Sequence, residues 1–152
     1  MTARGRDPVT PLLLVRRAVV AGEPDVAALL RDVPLDSVEV ADLMRHHRVL
    51  VLSDLTRPPT APPIGVAAFR LDQPTATAQL AGIAVPPYLR RRGFGHRLLT
   101  GALMLLRAEG FERVQARAAP GGAGASLLAS IGFTVGDGTA RADGRSRLVL
   151  PL

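Results

Sequence analysis

The chain has 152 residues, 47% of them hydrophobic and 21% charged, the balance of one folded domain rather than of a disordered or fibrous chain. It contains no cysteine, and all 19 of its basic Lys+Arg residues are arginine. Disulfides, thiolate metal sites, a cysteine nucleophile, a phosphate-loop lysine and a Schiff-base lysine are therefore excluded together. The formal charge of +6 raises nucleic acid as a partner, yet one Tyr and four Phe leave little aromatic surface for base stacking. Arginine standing in for lysine throughout reads as a compositional bias, and neither nucleic acid nor membrane is expected as a partner.

Residues 1–10 are expected to form a disordered tail ahead of a single domain over residues 11–152. The apolar run from Leu12 to Val15 is cut short by Arg16 and Arg17, so it does not read as a secretory signal. No stretch approaches the ~18 uninterrupted apolar residues of a membrane span, and a cytoplasmic location is the default. Leu12 to Val19 predicts a strand. Pro24 and Asp25 then suit a helix start, with Val26, Leu29, Leu30 and Val33 on one stripe. Asp36 or Ser37 caps a second short helix that turns Val38, Ala41 and Leu43 or Met44 inward.

Val49 to Leu55 is an apolar run with β-branched content, and the proline-rich stretch from Thr56 to Pro63 is a loop. Strands are predicted at Ile64 to Leu71 and Ala76 to Val85, joined by a turn at Asp72-Gln73-Pro74, which makes this middle section an antiparallel meander. Gly82 inside a strand marks a bulge or a close backbone approach. Pro86-Pro87 ends the strand. From Phe94 to Glu109 the spacing becomes helical: Leu98, Leu99, Ala102, Leu103 and Leu106 share one face, and Gly110 supplies the stop. A strand at Val114 to Ala118, a helix at Gly124 to Ile131, and strands at Phe133 to Val135 and Arg147 to Leu152 complete a mixed α/β fold.

Chemistry concentrates between the fourth strand and the helix that follows. Gly93 and Gly95 let a ligand approach the backbone, the helix start offers unpaired N–H groups, and Arg90, Arg91, Arg92 and Arg97 can neutralise phosphate oxygens. A dinucleotide fingerprint is excluded, because its third glycine would fall at Leu98 and the preceding strand is antiparallel to its neighbour. A solvated surface turn is the plain alternative for arginines beside glycines.

The six residues Arg90 to Gly95, following the apolar triplet Ile83-Ala84-Val85, match R/Q-x-x-G-x-G/A, and with the order of elements the chain resembles the GNAT N-acetyltransferase superfamily. Leu14 to Leu30 resembles that family's first strand and helix, and Ser126 to Phe133 its last helix. The resemblance implies a mostly antiparallel central sheet flanked by helices and acetyl-CoA as cosubstrate. It implies that the pyrophosphate rests on the backbone of Arg90, Arg91, Arg92, Gly93, Phe94 and Gly95, with His96 and Arg97 adjacent. The pantetheine arm would run along Ile83, Ala84 and Val85. Because Pro86-Pro87 offers no amide, an N–H polarising the thioester carbonyl has to come from Val85 or earlier.

The family's usual carboxylate base falls here at Ala81 and Gly82, its general-acid tyrosine at Leu128 and its cofactor-contacting asparagine near Gly121; all are missing. Ser126 and Ser130 lie about 200° round the helix from Leu128 and do not replace it. His46, His47 and Tyr88 are weak candidates for a catalytic role; Asp54 reads as a strand-end charge and Tyr88 more as a packing residue. No metal site is expected. Three functions stay open: an acetyl-CoA-dependent N-acetyltransferase acting on an amine, an acyl-CoA-binding sensor or interaction module that has lost catalysis, and an anion-binding module for nucleic acid. The resemblance also allows a homodimer.

Overall fold

A computed structural model describes residues 13–17, 47–58, 61–89, 92–119, 121–136 and 146–152. Seven strands form one sheet, with consecutive buried residues in β2 and β3 and alternating ones in β5: β1 (Leu13–Arg17), β2 (Arg48–Asp54), β3 (Gly65–Asp72), β4 (Thr77–Ala84), β5 (Arg113–Ala118), β6 (Thr134–Val135) and β7 (Ser146–Pro151). Helix α1 (Phe94–Ala108) connects β4 to β5, and α2 (Ala123–Ile131) connects β5 to β6. The sheet order is β1-β2-β3-β4-β5-β7-β6. Every neighbouring pair is antiparallel except β4 and β5, whose connection through α1 is the crossover that a parallel pair requires. The two helices predicted between residues 24 and 44, the tail and His46 lie outside the described residues.

The core forms where α1 lies on the sheet. All five residues of the predicted helical stripe, Leu98, Leu99, Ala102, Leu103 and Leu106, are buried against Leu50, Leu52, Phe69, Val114 and Leu148. Side chains of this size each contribute about 1.5–3 kcal/mol on full burial. Gly101 brings α1 close to β1, since a Cβ there would stand 3.0 Å from the Cβ of Val15. As the sequence suggests, Gly110 stops the helix: it adopts φ +97°, while Phe111 N–H donates to Leu106 O at 3.1 Å.

Two local expectations change, at the bulge and at Tyr88, and one holds, at Asp54. The predicted bulge is present, but its extra residue is Ala81: Ala68 faces Gly82, whereas Phe69 faces Leu80. Asp54 closes the end of β2 rather than reaching any site, its Oδ1 accepting from Thr56 N–H at 2.9 Å and Thr56 Oγ1 at 2.6 Å. Tyr88 does not pack. It lies on a 3₁₀ turn, Pro87–Leu89, and is 67% exposed while Leu89 takes the inward position against the core. Neighbours on so tight a turn point about 120° apart, so Leu89 and Tyr88 cannot both face in.

Candidate functional site

Strands β4 and β5 pair over only three rungs, Thr77 with Arg113, Ala78 with Val114 and Gln79 with Gln115. Beyond that point they diverge. β4 keeps its other partner, since Ala68, Ala67 and Val66 of β3 continue to face Gly82, Ile83 and Ala84. The main-chain groups that alternate toward the departed β5 thus face an open gap.

That gap is a cleft of about 300 Å³. Leu80 to Ile83 of β4 form one wall, and Arg117 and Ala118 of β5 with Ala119 form the other. Gly122, Gly124, Ala125, Leu127 and Leu128, at and within α2, close its side. The lining is small and apolar apart from Arg117. No carboxylate is among the described residues that line it. Ala81 and Gly82 occupy the wall where a base would stand, and Leu128, 4% exposed, points into the core. Ser126 and Ser130 are exposed, as their place on the helix requires, and Ser130 Oγ donates to Leu127 O at 2.6 Å.

The N-terminus of α1 opens at the same end of β4. Gly93 is the N-cap with φ +78° and ψ 9°, and no side chain caps the helix. The first intrahelical bond is Arg97 N–H to Gly93 O at 3.1 Å, which leaves the N–H groups of Phe94, Gly95 and His96 without an acceptor inside the helix. No acidic residue sits in the first turn, and Arg92 and Arg97 are exposed beside it, so the positive end of the helix dipole is undiluted. A Cβ on Gly93 would have nothing within 4 Å, and one on Gly95 only Leu127 Cδ2 at 3.6 Å. Bare backbone amides beside open space form a cradle for an anion. Leu127 also lines the cleft, so cradle and cleft are contiguous.

The sequence-derived residues divide accordingly. Ile83 lines the cleft, Ala84 ends β4 past it, and Val85 follows the strand end. Gly93, Phe94 and Gly95 form the helix start, whereas Arg90 and Arg91 lie outside the described residues. His96 and Arg97 contribute to the same helical turn, but their side chains line a groove against Leu13 to Val15 of β1. Thr100 Oγ1 donates to the His96 carbonyl at 2.7 Å. His47 precedes β2, two strand spacings or about 10 Å from β4, and does not line the cleft. Arg117 was not singled out by sequence reasoning, whereas Leu128 on the α2 wall was, as the position where the family's tyrosine is missing. The signal for Arg117 is a charged residue between the small apolar Ala116 and Ala118 near the end of a strand that alternates polar and apolar residues. Among the described residues no group of His, Asp or Glu is arranged to hold a metal ion.

A family model described as the acetyltransferase (GNAT) family matches residues 32–133. No curated protein matches the chain. Solved structures share the fold. The IAA acetyltransferase from Bacillus cereus is 18% identical with a TM-score of 0.71, over 93% of this chain and 100% of that one. The ribosomal-protein-S18-alanine N-acetyltransferase from Escherichia coli is 17% identical with a TM-score of 0.69, over 92% and 94%. An acetyltransferase from Bacillus subtilis in complex with CoA is 18% identical with a TM-score of 0.72, over 93% and 99%. With its splayed parallel pair, its glycine-capped helix and a family match across two thirds of its length, this chain belongs to the GNAT acetyltransferase family.

Proposed function

We propose that the protein is an acetyl-CoA-dependent N-acetyltransferase that transfers the acetyl group directly to an amine. The observation that carries this reading is the gap between β4 and β5, with the uncapped N-terminus of α1 at its open end. The pyrophosphate would rest on the N–H groups of Phe94, Gly95 and His96, with Arg90, Arg91, Arg92 and Arg97 supplying compensating charge. The pantetheine arm would lie along Leu80 to Val85 and replace the missing strand partner through main-chain hydrogen bonds. Neighbouring structures support the reading, since the Bacillus subtilis acetyltransferase is in complex with CoA and an Elizabethkingia anophelis GNAT acetyltransferase has acetyl-CoA bound.

In the reaction, the acceptor nitrogen attacks the thioester carbonyl, the C–N bond forms and the C–S bond breaks. The sulfur leaves as thiolate, and the proton lost by the nitrogen passes to solvent or to that thiolate. Val85 provides the last main-chain N–H before Pro86 that can meet the developing oxyanion. A thiolate whose conjugate acid has a pKa near 8.5 leaves without an obligatory acid, which makes the loss of a tyrosine at Leu128 tolerable. Holding both reactants in one cleft supplies the rest through orientation. We read residues 11–152 as one such domain, acting in the cytoplasm without a metal.

The absence of a carboxylate among the described lining residues favours a second reading, an acyl-CoA-binding module without turnover. Titration calorimetry with acetyl-CoA, followed by thiol-release assays over a panel of amines, separates the two. Binding with turnover supports transfer, binding without turnover supports the module, and no binding removes both.

A further inference from the structure

At β4, β5 and β7 the sheet face away from α1 carries polar side chains that have no partner among the described residues. Val114, Ala116 and Ala118 of β5 turn toward the core, so Gln115 and Arg117 turn to the opposite face. Leu148 of β7 also faces the core, which places Arg147 on that outer face, directly opposite Arg117 in the register. Facing side chains in an antiparallel pair have Cβ atoms about 5 Å apart, and like charges at that separation repel. Neither guanidinium makes a hydrogen bond or ion pair among the described residues. Gln79 and Gln115 form the last rung before the gap and line a polar depression of about 540 Å³ on the same face, again without side-chain partners among the described residues. Arg117 belongs to the cleft as well.

We propose that Arg117 and Arg147 receive a carboxylate of the acceptor, so that the acceptor is an amine that also bears a carboxylate, such as an amino acid or a short peptide; this rests on the acetyl-transfer reading above. Guanidinium groups on directly opposed residues repel each other until an anion lies between them, and their fork of N–H donors matches the two oxygens of a carboxylate. The phosphates of the cosubstrate are the other source of negative charge. They are assigned to the start of α1, which packs on the opposite face of the sheet, so the outer arginines are left for the acceptor. Gln79 and Gln115 then offer amide groups to the remainder of a polar acceptor.

The test uses the whole protein saturated with CoA, so that no turnover intervenes, and titration calorimetry with glycylglycine, alanylalanine and alanylleucine, each against its C-terminal amide. The acids are expected to bind at least ~10-fold more tightly than the amides. R117Q and R147Q each bring that ratio below about twofold, R117K retains part of it, and in R147Q, which lies outside the cleft, acetyl-CoA affinity stays within about threefold of wild type. R147Q alters an exposed side chain, so its result stands even if R117Q fails to fold. Equal binding of acids and amides, or no binding of either, overturns the inference. So does an unchanged acid preference with weakened acetyl-CoA binding, which would give the arginines to the nucleotide phosphates. A wild-type protein that binds no acetyl-CoA at all overturns the parent reading first, and the acceptor inference with it.

Discussion

Gly95 of α1 and Leu127 of α2 meet where the anion cradle joins the cleft: a Cβ on Gly95 would stand 3.6 Å from Leu127 Cδ2, an ordinary van der Waals distance. A methyl group therefore fits against the leucine, and a branched side chain does not. The expected series is a small loss of acetyl-CoA affinity in Gly95→Ala and a loss of ~10-fold or more in Gly95→Leu, because bulk here covers the amides of the first turn. Calorimetry on the folded variants reads the series. Undiminished binding by Gly95→Leu would remove the diphosphate from this helix start.

Gly93 isolates the backbone contribution. Its φ of +78° is left-handed, yet no side chain stands within 4 Å of a Cβ built there. Gly93→Ala should therefore cost about 1–2 kcal/mol of stability from backbone strain alone, and Gly93→Asn less, since asparagine tolerates this region. Urea denaturation of the two variants measures the difference. Equal stability of all three proteins would mean that the turn relaxes out of the left-handed conformation.

What the sequence discloses here follows the range of the physical signal. Helix α1 is legible end to end, because its stripe from Leu98 to Leu106 is periodic and Gly93 and Gly110 punctuate it within a few residues. The bulge is legible to one residue, since Gly82 announces the irregularity while the pleat places the extra residue at Ala81. The cleft is not legible as a shape. It arises because β4 and β5, separated by an entire helix, pair over three rungs and then part, and no local pattern in either Ala-rich strand encodes where they part. The same holds for Arg117 and Arg147, which lie 30 positions apart and become neighbours only through the register of β7. Tyr88 misleads for the opposite reason: the type of residue suggests packing, but a tight turn allows one inward side chain and Leu89 takes it.

The lack of a carboxylate among the described residues lining the cleft sets a pH dependence. With no described acidic group lining it, the acceptor amine has to lose its proton to solvent before attack. For a lysine-type amine of pKa ~10.4 this costs about 4.6 kcal/mol at pH 7, and for an α-amino group of pKa ~7.8 about 1 kcal/mol. The neutral fraction rises tenfold per pH unit below the amine's own pKa and levels off above it. Log kcat/KM should therefore climb with unit slope from pH 6 and flatten near pH 8 for an α-amino acceptor, with lysine-type amines poorer throughout. A plateau beginning well below the acceptor's pKa would reveal an enzymic base.

Arg48 and Glu109 tie the start of β2 to the C-cap of α1, with Arg48 Nη1 2.6 Å from Glu109 Oε1 and 2.5 Å from Oε2. The arginine side chain is 15% exposed and the carboxylate 44%, so solvent screens the pair only in part. Glu109→Gln should lower stability by about 0.5–1 kcal/mol and leave acetyl-CoA binding intact, because the contact lies at the far end of α1 from the cradle. Thermal unfolding with and without acetyl-CoA separates the two effects. A change in the ligand-induced shift would show that the helix transmits strain from one end to the other.

The Arg117–Arg147 pair makes a prediction that needs no acceptor. Two like charges facing across a strand pair destabilise the ligand-free protein by a few tenths of a kcal/mol, and R147Q removes the repulsion while leaving the apolar stem of a similar side chain in place. R147Q should therefore unfold slightly above wild type at low ionic strength. At about 1 M salt, where the screening length falls to about 3 Å, the repulsion between side chains about 5 Å apart is weakened and the two melting temperatures should converge. Salt thus stabilises wild type more than the variant, and an anion that enters between the guanidinium groups should do so at far lower concentration than sodium chloride. Parallel melting curves at every salt concentration would mean that the two side chains already splay apart, and that no charge is held between the strands.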